Sequence, residues 1–301
     1  MSVGFFPSHL VQNRCLPCLF PVLRRRFCGS WMVTLLLFVT FFCRGIARGE
    51  HDGKIRILLL GDSTTEGSIP RLMKPEGPHL NQTLQHILDA SGTPAEVIAS
   101  GLSGETIRSL IDKGRYQRDV AKLPALDFIF IRYGINDASK DKDFITSFPK
   151  NYQELLGMLR KDHPEATIIL TTIIPYLSEE SSKTVNDLIQ HIGTEERLPV
   201  FDIYPGYAAA LKNGPNMLNY RRYPLEKIPP QHHEWLKPRV HGEMVVVLDN
   251  ELDALFGDLP GWYGDRHPNL AGYNVIAELT AQYLMPILKE RAAKTQAPSS
   301  K

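Results

Sequence analysis

Short apolar runs alternate with longer amphipathic stretches from residue 54 onward, and this alternation limits the possible fold more than any other feature. Continuous apolar runs bounded by turn residues are typical of buried strands, and apolar residues at a spacing of three and four are typical of helices. The predicted strands are residues 55–60, 95–99, 127–133, 167–174 and 199–203. The pattern predicts a three-layer α/β/α fold with a mostly parallel five-stranded sheet, in which ligands bind outside the carboxyl ends of the strands.

The N-terminal region differs from the rest of the chain. An arginine cluster at residues 24–26 precedes a mainly apolar, uncharged stretch over residues 31–43. This order predicts a signal peptide over residues 1–47, cleaved after Ala47. Because the apolar stretch is short for a membrane span, we expect a secreted or periplasmic protein with no stable membrane insertion after cleavage. The alternative is a membrane-anchored protein that keeps this segment.

Charge and cysteine content exclude several classes of function. Lys and Arg total 34 and Asp and Glu total 33, so the chain lacks the positive charge that nucleic-acid binding requires. The four cysteines all lie in the predicted signal peptide, at Cys15, Cys18, Cys28 and Cys43. Thiol catalysis and cysteine–zinc chemistry are therefore excluded for the predicted mature chain.

The mature chain divides into a short linker over residues 48–53, one domain over 54–291 and a polar tail over 292–301. Within the domain, residues 204–263 interrupt the alternation and are too long for a structureless connection. We predict an insertion folded over the strand ends. Its aromatic and cationic side chains suit either a wall that stacks on sugar rings or ordinary packing. Its histidines match no zinc spacing, which favours solvated surface positions.

Four short motifs flank the predicted elements, three of them directly after strands. They are residues 61–67 (GDSTTEG), 100–106 (SGLSGET), 133–137 (YGIND) and 265–269 (DRHPN). The first places a serine on a turn at the end of a strand, and the last holds a histidine two positions after an aspartate. Serine is a weak nucleophile unless a base removes its proton, and the base needs a third group to orient it. These motifs therefore indicate an acyl-transfer enzyme.

In this order, the motifs resemble the four blocks of the GDSL, or SGNH, hydrolase family, and the resemblance extends from about residue 54 to the C-terminal helix. It implies a flavodoxin-like SGNH hydrolase fold and a serine esterase that needs no metal or organic cofactor. It assigns Ser63 as nucleophile and His267 as base. The implied oxyanion hole consists of the backbone N–H groups of Ser63 and Gly104 and the side-chain amide of Asn136.

The last motif departs from the commonest family pattern, in which the aspartate lies three positions before the histidine. Gly264 occupies that position here, and Asp265 follows it. Side chains two positions apart in an extended segment point the same way, so Asp265 is predicted to orient His267. The alternative is a dyad in which a backbone carbonyl orients the histidine.

These observations predict a secreted serine esterase that removes a small acyl group, for example acetyl, from a small-molecule or carbohydrate ester. One alternative is a lipolytic esterase or thioesterase with the same catalytic groups and an apolar acyl groove. Another is a catalytically idle carbohydrate-binding protein on the same fold, because fold does not fix function.

Overall fold

The computed structural model describes residues 53–214 and 216–296. The predicted signal peptide, residues 1–47, lies outside the described residues, as does the linker up to residue 52. The central sheet has the spatial order β2–β1–β3–β4–β5, and every neighbouring pair is parallel. Its strands are β1 (Ile55–Gly61), β2 (Ala95–Gly101), β3 (Phe128–Arg132), β4 (Thr167–Thr171) and β5 (Val200–Phe201). The predicted five-stranded sheet is confirmed.

Helices connect the strands and cover both faces of the sheet. They are α1 (Ser63–Glu66), α2 (Ser68–Met73), α3 (Leu80–Ala90), α4 (Ile107–Asp112), α5 (Ile135–Lys140), α6 (Phe144–Asp162), α7 (Glu179–Glu196), α8 (Tyr204–Leu211), α9 (His233–Leu236), α10 (Asp253–Phe256) and α11 (Leu270–Gln296). A π-helical turn spans Tyr116–Val120. Strands of the central sheet are buried on both faces, which explains why they read as continuous apolar runs. The predicted three-layer α/β/α class is therefore confirmed.

The sheet separates two hydrophobic cores, and the side chains along β1 alternate between them. Leu58 and Leu60 face the core formed with α4, α6 and α7. Ile57 and Leu59 face the core formed with α3, α8 and α11. Successive side chains of a strand point to opposite faces, so this one strand contributes to both layers.

Strands β1, β2 and β3 end at the same level. Gly61 at the end of β1 pairs with Gly101 of β2 on one side and with Arg132 of β3 on the other. Residues 62–67, 102–106 and 133–136 therefore leave the sheet side by side. This register brings the first three motifs to one edge, as expected for the carboxyl ends of parallel strands.

Residues 221–262 form a small unit with its own core, which we call the inserted subdomain. It contains an antiparallel sheet with the order β6–β8–β7. The strands are β6 (Arg221–Pro224), β7 (Val240–His241) and β8 (Met244–Val247). The start of the predicted insertion does not belong to this unit, because α8 packs against the main core through Tyr207.

The C-terminal helix is longer than the sequence pattern indicates. It continues to Gln296, five residues into the predicted polar tail that starts at residue 292. Its buried residues, such as Tyr273 and Leu284, belong to the core that α3 shares. None of the helices in the described part of the chain combines the length and apolar character needed to span a bilayer.

Candidate active site

Ser63 is the first residue of the one-turn helix α1, two positions after the end of β1. The fully buried Asp62 caps this helix, because its Oδ1 accepts hydrogen bonds from the backbone N and the hydroxyl of Thr64 at 2.9 and 2.8 Å. The turn also sits directly on β2: a Cβ at Gly101 would lie 2.4 Å from the backbone N of Glu66. The position of Ser63 is therefore set by backbone contacts on both sides.

The last motif brings its histidine to this serine. His267 Nε2 lies 3.0 Å from Ser63 Oγ, and His267 Nδ1 lies 2.6 Å from Asp265 Oδ1. When Asp265 accepts a hydrogen bond from the Nδ1–H group, Nε2 is left to accept a proton from the serine hydroxyl. Three predicted site residues thus form one hydrogen-bonded chain, although Ser63 and His267 are 204 positions apart.

Asp265 is an ionised carboxylate in this arrangement. Its side chain is only 7% exposed, and its Oδ2 accepts a hydrogen bond from Arg222 Nε at 2.6 Å. Burial opposes ionisation, but the hydrogen bonds from His267 and Arg222 and the positive charge of Arg222 outweigh it and lower the pKa of Asp265 below its usual range. Asp265, two positions before His267, therefore reaches the imidazole. The sequence had left this contact open, because Gly264 stands where the family usually has the aspartate.

Two tyrosines enclose the imidazole ring. Tyr220 stacks on His267, with ring centroids 5.5 Å apart and planes inclined by 15°. Tyr176 meets the same ring edge-on, and its hydroxyl oxygen lies 3.2 Å from each ring nitrogen. These contacts leave the imidazole about one-tenth exposed and restrict its rotation.

The three predicted oxyanion donors have the expected local features. Asn136 Nδ2 is buried and has no hydrogen-bond partner among the described residues. Ser63 is the first residue of α1, and the first N–H groups of a helix have no partner within it. Gly104 has a φ of 75°, in the left-handed region where glycine is favoured. Lys140 Nζ donates to the carbonyl of Gly104 and fixes this turn from outside.

The loop that contains Gly104 is tied to the nucleophile turn and to the protein interior. Glu66 accepts hydrogen bonds from the backbone N and hydroxyl of Ser103 at 2.6 and 2.5 Å. On the other side of Gly104, Glu105 is buried and pairs with Arg115 Nε at 2.7 Å and with the Tyr133 hydroxyl at 2.6 Å. Residues that follow β1 and β3 therefore hold the loop that follows β2.

A second buried carboxyl group lies next to Asn136. Asp137 Oδ1 accepts a hydrogen bond from the backbone N of Ile107 at 3.0 Å, at the start of α4. Its Oδ2 is buried without a partner among the described residues. Burial, with a smaller contribution from the charge of Asp62, raises the pKa of Asp137 to about 7. Asp137 thus connects the third motif to the second.

Sequence reasoning did not assign Arg222, Tyr176 or Tyr220 to the site. Arg222 lies 43 positions before Asp265, and Tyr176 lies 91 positions before His267. No rule of sequence spacing links residues so far apart, so the folded structure was needed to find them. The histidines of the insertion lie elsewhere: His233 Nε2, for example, contacts the carbonyl of Ile228 at 2.8 Å. Within residues 53–214 and 216–296, no group of three or more His, Cys, Asp or Glu side chains is arranged to hold a metal ion.

Comparison with known proteins identifies the family. The model of the GDSL-like lipase/acylhydrolase family matches residues 59–275. Solved structures with similar folds include a lipase/acylhydrolase from Enterococcus faecalis, which is 19% identical with a TM-score of 0.45 over 76% of this chain and 95% of that chain. Another is the acetylxylan esterase Axe2 from Geobacillus stearothermophilus, which is 18% identical with a TM-score of 0.48 over 77% of this chain and 95% of that chain.

A third similar structure is the acetyl xylan esterase AlAXEase, which is 20% identical with a TM-score of 0.49 over 77% of this chain and all of that chain. A search of curated proteins gave no match. The family model covers most of the described domain, from β1 to the first part of α11. This chain therefore belongs to the GDSL-like lipase/acylhydrolase family and is a hydrolase that acts on ester bonds.

Proposed function

We propose that this chain is an exported serine esterase that removes a small acyl group, with acetyl as the first candidate, from a carbohydrate. The observation that carries the proposal is the hydrogen-bonded chain from Asp265 through His267 to Ser63, beside the buried, unpartnered amide of Asn136. A nucleophile, a base, an orienting carboxylate and an oxyanion donor are the groups that ester hydrolysis requires.

The reaction has two halves. In the first, His267 Nε2 takes the proton from Ser63 as Oγ attacks the ester carbonyl carbon, and the tetrahedral intermediate forms. The protonated His267 then gives this proton to the departing alcohol oxygen, and the acyl group remains on Ser63. In the second half, His267 takes a proton from water, the hydroxide attacks the acyl carbon, and the proton returns to Ser63 Oγ as the acid leaves.

Negative charge develops on the former carbonyl oxygen in both halves. We assign its stabilisation to the N–H groups of Ser63 and Gly104 and to Asn136 Nδ2. A neutral amide suits this task because it donates a hydrogen bond without titrating near pH 7. A buried donor that has no partner within the protein is costly unless function requires it, which supports this role for Asn136.

The geometry supports a triad over a dyad. Asp265 lies 2.6 Å from His267 Nδ1 and holds the tautomer in which Nε2 is free to act as a base. Asp265→Asn removes the negative charge and reverses the tautomer, so we expect kcat to fall by about 10³- to 10⁴-fold. A loss below about tenfold would favour the dyad.

The groups around Ser63 favour an ester whose leaving alcohol is polar. Tyr176 presents its hydroxyl beside His267, Arg266 is exposed, and Lys140 lies over the Gly104 turn. Phenol, guanidinium and ammonium groups hydrogen-bond well to hydroxyl-rich compounds, and aromatic rings offer flat apolar faces to sugars. A polyhydroxylated ester suits this rim better than a long hydrocarbon chain.

A lipolytic esterase is the second candidate, and two exposed side chains favour it. Leu102, next to Ser103 in the second motif, is 41% exposed, and Met217, whose carbonyl accepts from Asn269, is 48% exposed. A panel of acetylated sugars and p-nitrophenyl esters of increasing chain length separates the two candidates. Higher kcat/KM on acetylated sugars supports the first proposal. Preference for acyl chains of about eight carbons or more supports the second.

Covalent labelling with a fluorophosphonate tests the nucleophile and separates both enzymes from an idle binding protein. The probe forms a bond with an activated serine, so we expect labelling of the wild type and none of Ser63→Ala. Ser181→Ala is a matched control, because Ser181 is exposed at the start of α7, outside the site. Labelling of Ser63→Ala, or no labelling of the wild type, would contradict the assignment of Ser63.

Export is part of the proposal and rests on the sequence of residues 1–47. The polypeptide should be recovered outside the cytoplasm with Arg48 as its first residue, which N-terminal sequencing measures. Recovery in the membrane fraction with residues 24–43 still attached would favour the anchored form instead.

A further inference from the structure

Arg222 belongs to the inserted subdomain, yet its guanidinium group lies in the active site. It follows Arg221 at the start of β6, and its Nε donates to Asp265 Oδ2 at 2.6 Å. Its Nη2 lies 3.4 Å from His267 Nδ1. The side chain is 38% exposed, whereas the carboxylate that it contacts is 7% exposed. The insertion therefore delivers a positive charge to the carboxylate of the proposed triad.

The two oxygens of Asp265 have different partners. Oδ1 accepts from the ring Nδ1 of His267 at 2.6 Å and from the backbone N of the same residue at 3.2 Å. Oδ2 accepts from Arg222. Rotation of the carboxylate toward one partner would break the contact with the other. Arg222 thus fixes the plane in which Asp265 presents Oδ1 to the imidazole.

A second route connects Arg222 to the same imidazole. Its guanidinium carbon lies over the ring of Tyr220, 5.6 Å from the centroid, and Tyr220 stacks on His267. The backbone N of Tyr220 also donates to the carbonyl of His267 at 3.2 Å, and Asn219 forms a β-bridge with Pro268. The entry to β6 therefore runs alongside the last motif, and the guanidinium, phenol and imidazole groups form one stack.

The shifted position of the aspartate gives this contact a reason. Gly264 stands three positions before His267, so the orienting carboxylate is attached by a shorter segment of backbone. Gly264 is exposed and contributes no side chain to hold that segment. A hydrogen bond from another element is then required to hold the carboxylate, and Arg222 supplies it. Arginine suits this task better than lysine because its planar group has fixed N–H directions.

We propose that Arg222 is a positioning residue for the esterase reaction: through Asp265 it holds the imidazole of His267 in line with Ser63 Oγ. The inserted subdomain is then a required part of the active site. This inference rests on the proposed function, because it presupposes that Ser63, His267 and Asp265 form a triad.

The test compares Arg222→Met and Arg222→Lys with the wild type, using p-nitrophenyl acetate as the substrate. Because a misplaced catalytic group costs up to about 10²-fold, we expect Arg222→Met to lower kcat by roughly 10- to 100-fold. KM should change by less than about twofold, since ground-state binding is not involved. Arg222→Lys keeps the charge without the fixed N–H directions, so its kcat should lie between those of Arg222→Met and the wild type.

Arg239→Met is the matched control. Arg239 belongs to the same subdomain, has similar exposure at 33% and forms an ion pair with Glu251, away from the proposed triad. We expect its kcat and KM to equal those of the wild type. Equal kcat values in Arg222→Met and Arg239→Met would overturn the proposal, and so would a loss in Arg222→Met that appears in KM instead of kcat.

A double-mutant cycle shows whether Arg222 acts through Asp265. In an Asp265→Asn background, Arg222→Met should cost less than about twofold in kcat, because the group that it positions is already lost. Full additivity would overturn the proposal. If Arg222→Met does not fold at the assay temperature, the same cycle is run with Arg222→Gln, which also removes the charge, and the same criterion decides. Failure of the proposed function itself is seen separately, as full activity in Ser63→Ala or Asp265→Asn.

Discussion

At the scale of single residues, Asn136 shows how function and stability separate. Its Nδ2 is a buried donor without a partner among the described residues, and such a group costs about 1–3 kcal/mol of stability. Because Asn136 is a proposed oxyanion donor, Asn136→Ala should lower kcat by about 10²- to 10³-fold. Its melting temperature should equal or exceed that of the wild type. Kinetics on p-nitrophenyl acetate and thermal unfolding measure the two effects.

Asn186 offers the matched control for this prediction. It is also an asparagine at the carboxyl edge of the sheet, but its Oδ1 accepts a hydrogen bond from the backbone N of Ile173 at 2.9 Å. Asn186→Ala should lower the melting temperature and leave kcat close to that of the wild type. A kcat loss below tenfold in Asn136→Ala, or a large drop in its melting temperature, would remove Asn136 from the oxyanion hole.

At the scale of elements, the close contact between β2 and the nucleophile turn requires a glycine. A Cβ at Gly101 would lie 2.4 Å from Glu66 N and 2.8 Å from Asp62 O, both of them backbone atoms. Gly101→Ala should therefore displace the turn that carries Ser63. We expect a loss of roughly 1–3 kcal/mol in the free energy of unfolding, as for other overpacked sites, together with a lower kcat. Chemical denaturation and steady-state kinetics measure both.

A glycine in helix α6 provides the contrast. A Cβ at Gly157 would meet no other side chain and no neighbouring element within 4 Å, and the residue lies inside a regular helix. Gly157→Ala should stabilise the protein by about 0.5–1 kcal/mol and leave kcat unchanged. If Gly101→Ala behaved in the same way as Gly157→Ala, the nucleophile turn would not depend on its contact with β2.

The elements that could be predicted from the sequence are those whose length and apolar periodicity both indicate the same type of secondary structure. All five central strands and the helix over residues 144–162 follow from their apolar patterns. The small sheet of the inserted subdomain was not predicted. Its strands have only two to four residues, too few to show an alternation, and its core forms between segments distant in sequence. Short elements of this kind depend on tertiary contacts.

The same distinction applies to the site. Motifs at strand ends could be placed because parallel strands bring their carboxyl ends to one edge, and the structure brings Ser63, Asp265 and His267 into contact. Arg222 could not be placed, since its approach to Asp265 depends on how the inserted subdomain packs. Sequence spacing describes contacts within an element or a turn and says little about contacts between separately folded units.

At the scale of the whole molecule, the carboxyl groups of the site change the stability of the fold in opposite directions as pH changes. Burial raises the pKa of Asp62 and of Asp137, so each of these groups holds a proton more tightly in the folded state than in the unfolded state. The pKa of Asp265 is lowered, so its ionised form stabilises the folded state at pH values above the ordinary carboxyl pKa. This stabilisation is lost when acid protonates the group. Stability near neutral pH is therefore limited by the buried carboxyl groups rather than by Asp265.

Asp137 gives the clearest measurable consequence. Its pKa is about 7 when folded against an ordinary value of 3.8, so the folded state keeps a proton that the unfolded chain releases between these values. The free energy of unfolding must then fall as pH rises through this window. Asp137→Asn keeps an oxygen to accept from the backbone N of Ile107 and has no proton to release. Between pH 5 and pH 8, the free energy of unfolding of Asp137→Asn should rise by on the order of 2 kcal/mol relative to that of the wild type.

Thermal and chemical unfolding of both proteins at pH 5 and pH 8 measure this gain. Asp137→Ala separates the two roles of the side chain, because it removes both the ionisable group and the acceptor for Ile107. It should be less stable than Asp137→Asn at both pH values by about 1 kcal/mol, the net value of one hydrogen bond, yet show the same weak pH dependence. If the stability of Asp137→Asn followed that of the wild type across this range, Asp137 would be ionised in the folded protein at pH 5. The carboxyl edge of the sheet would then hold a charge that its burial and the nearby Asp62 both oppose.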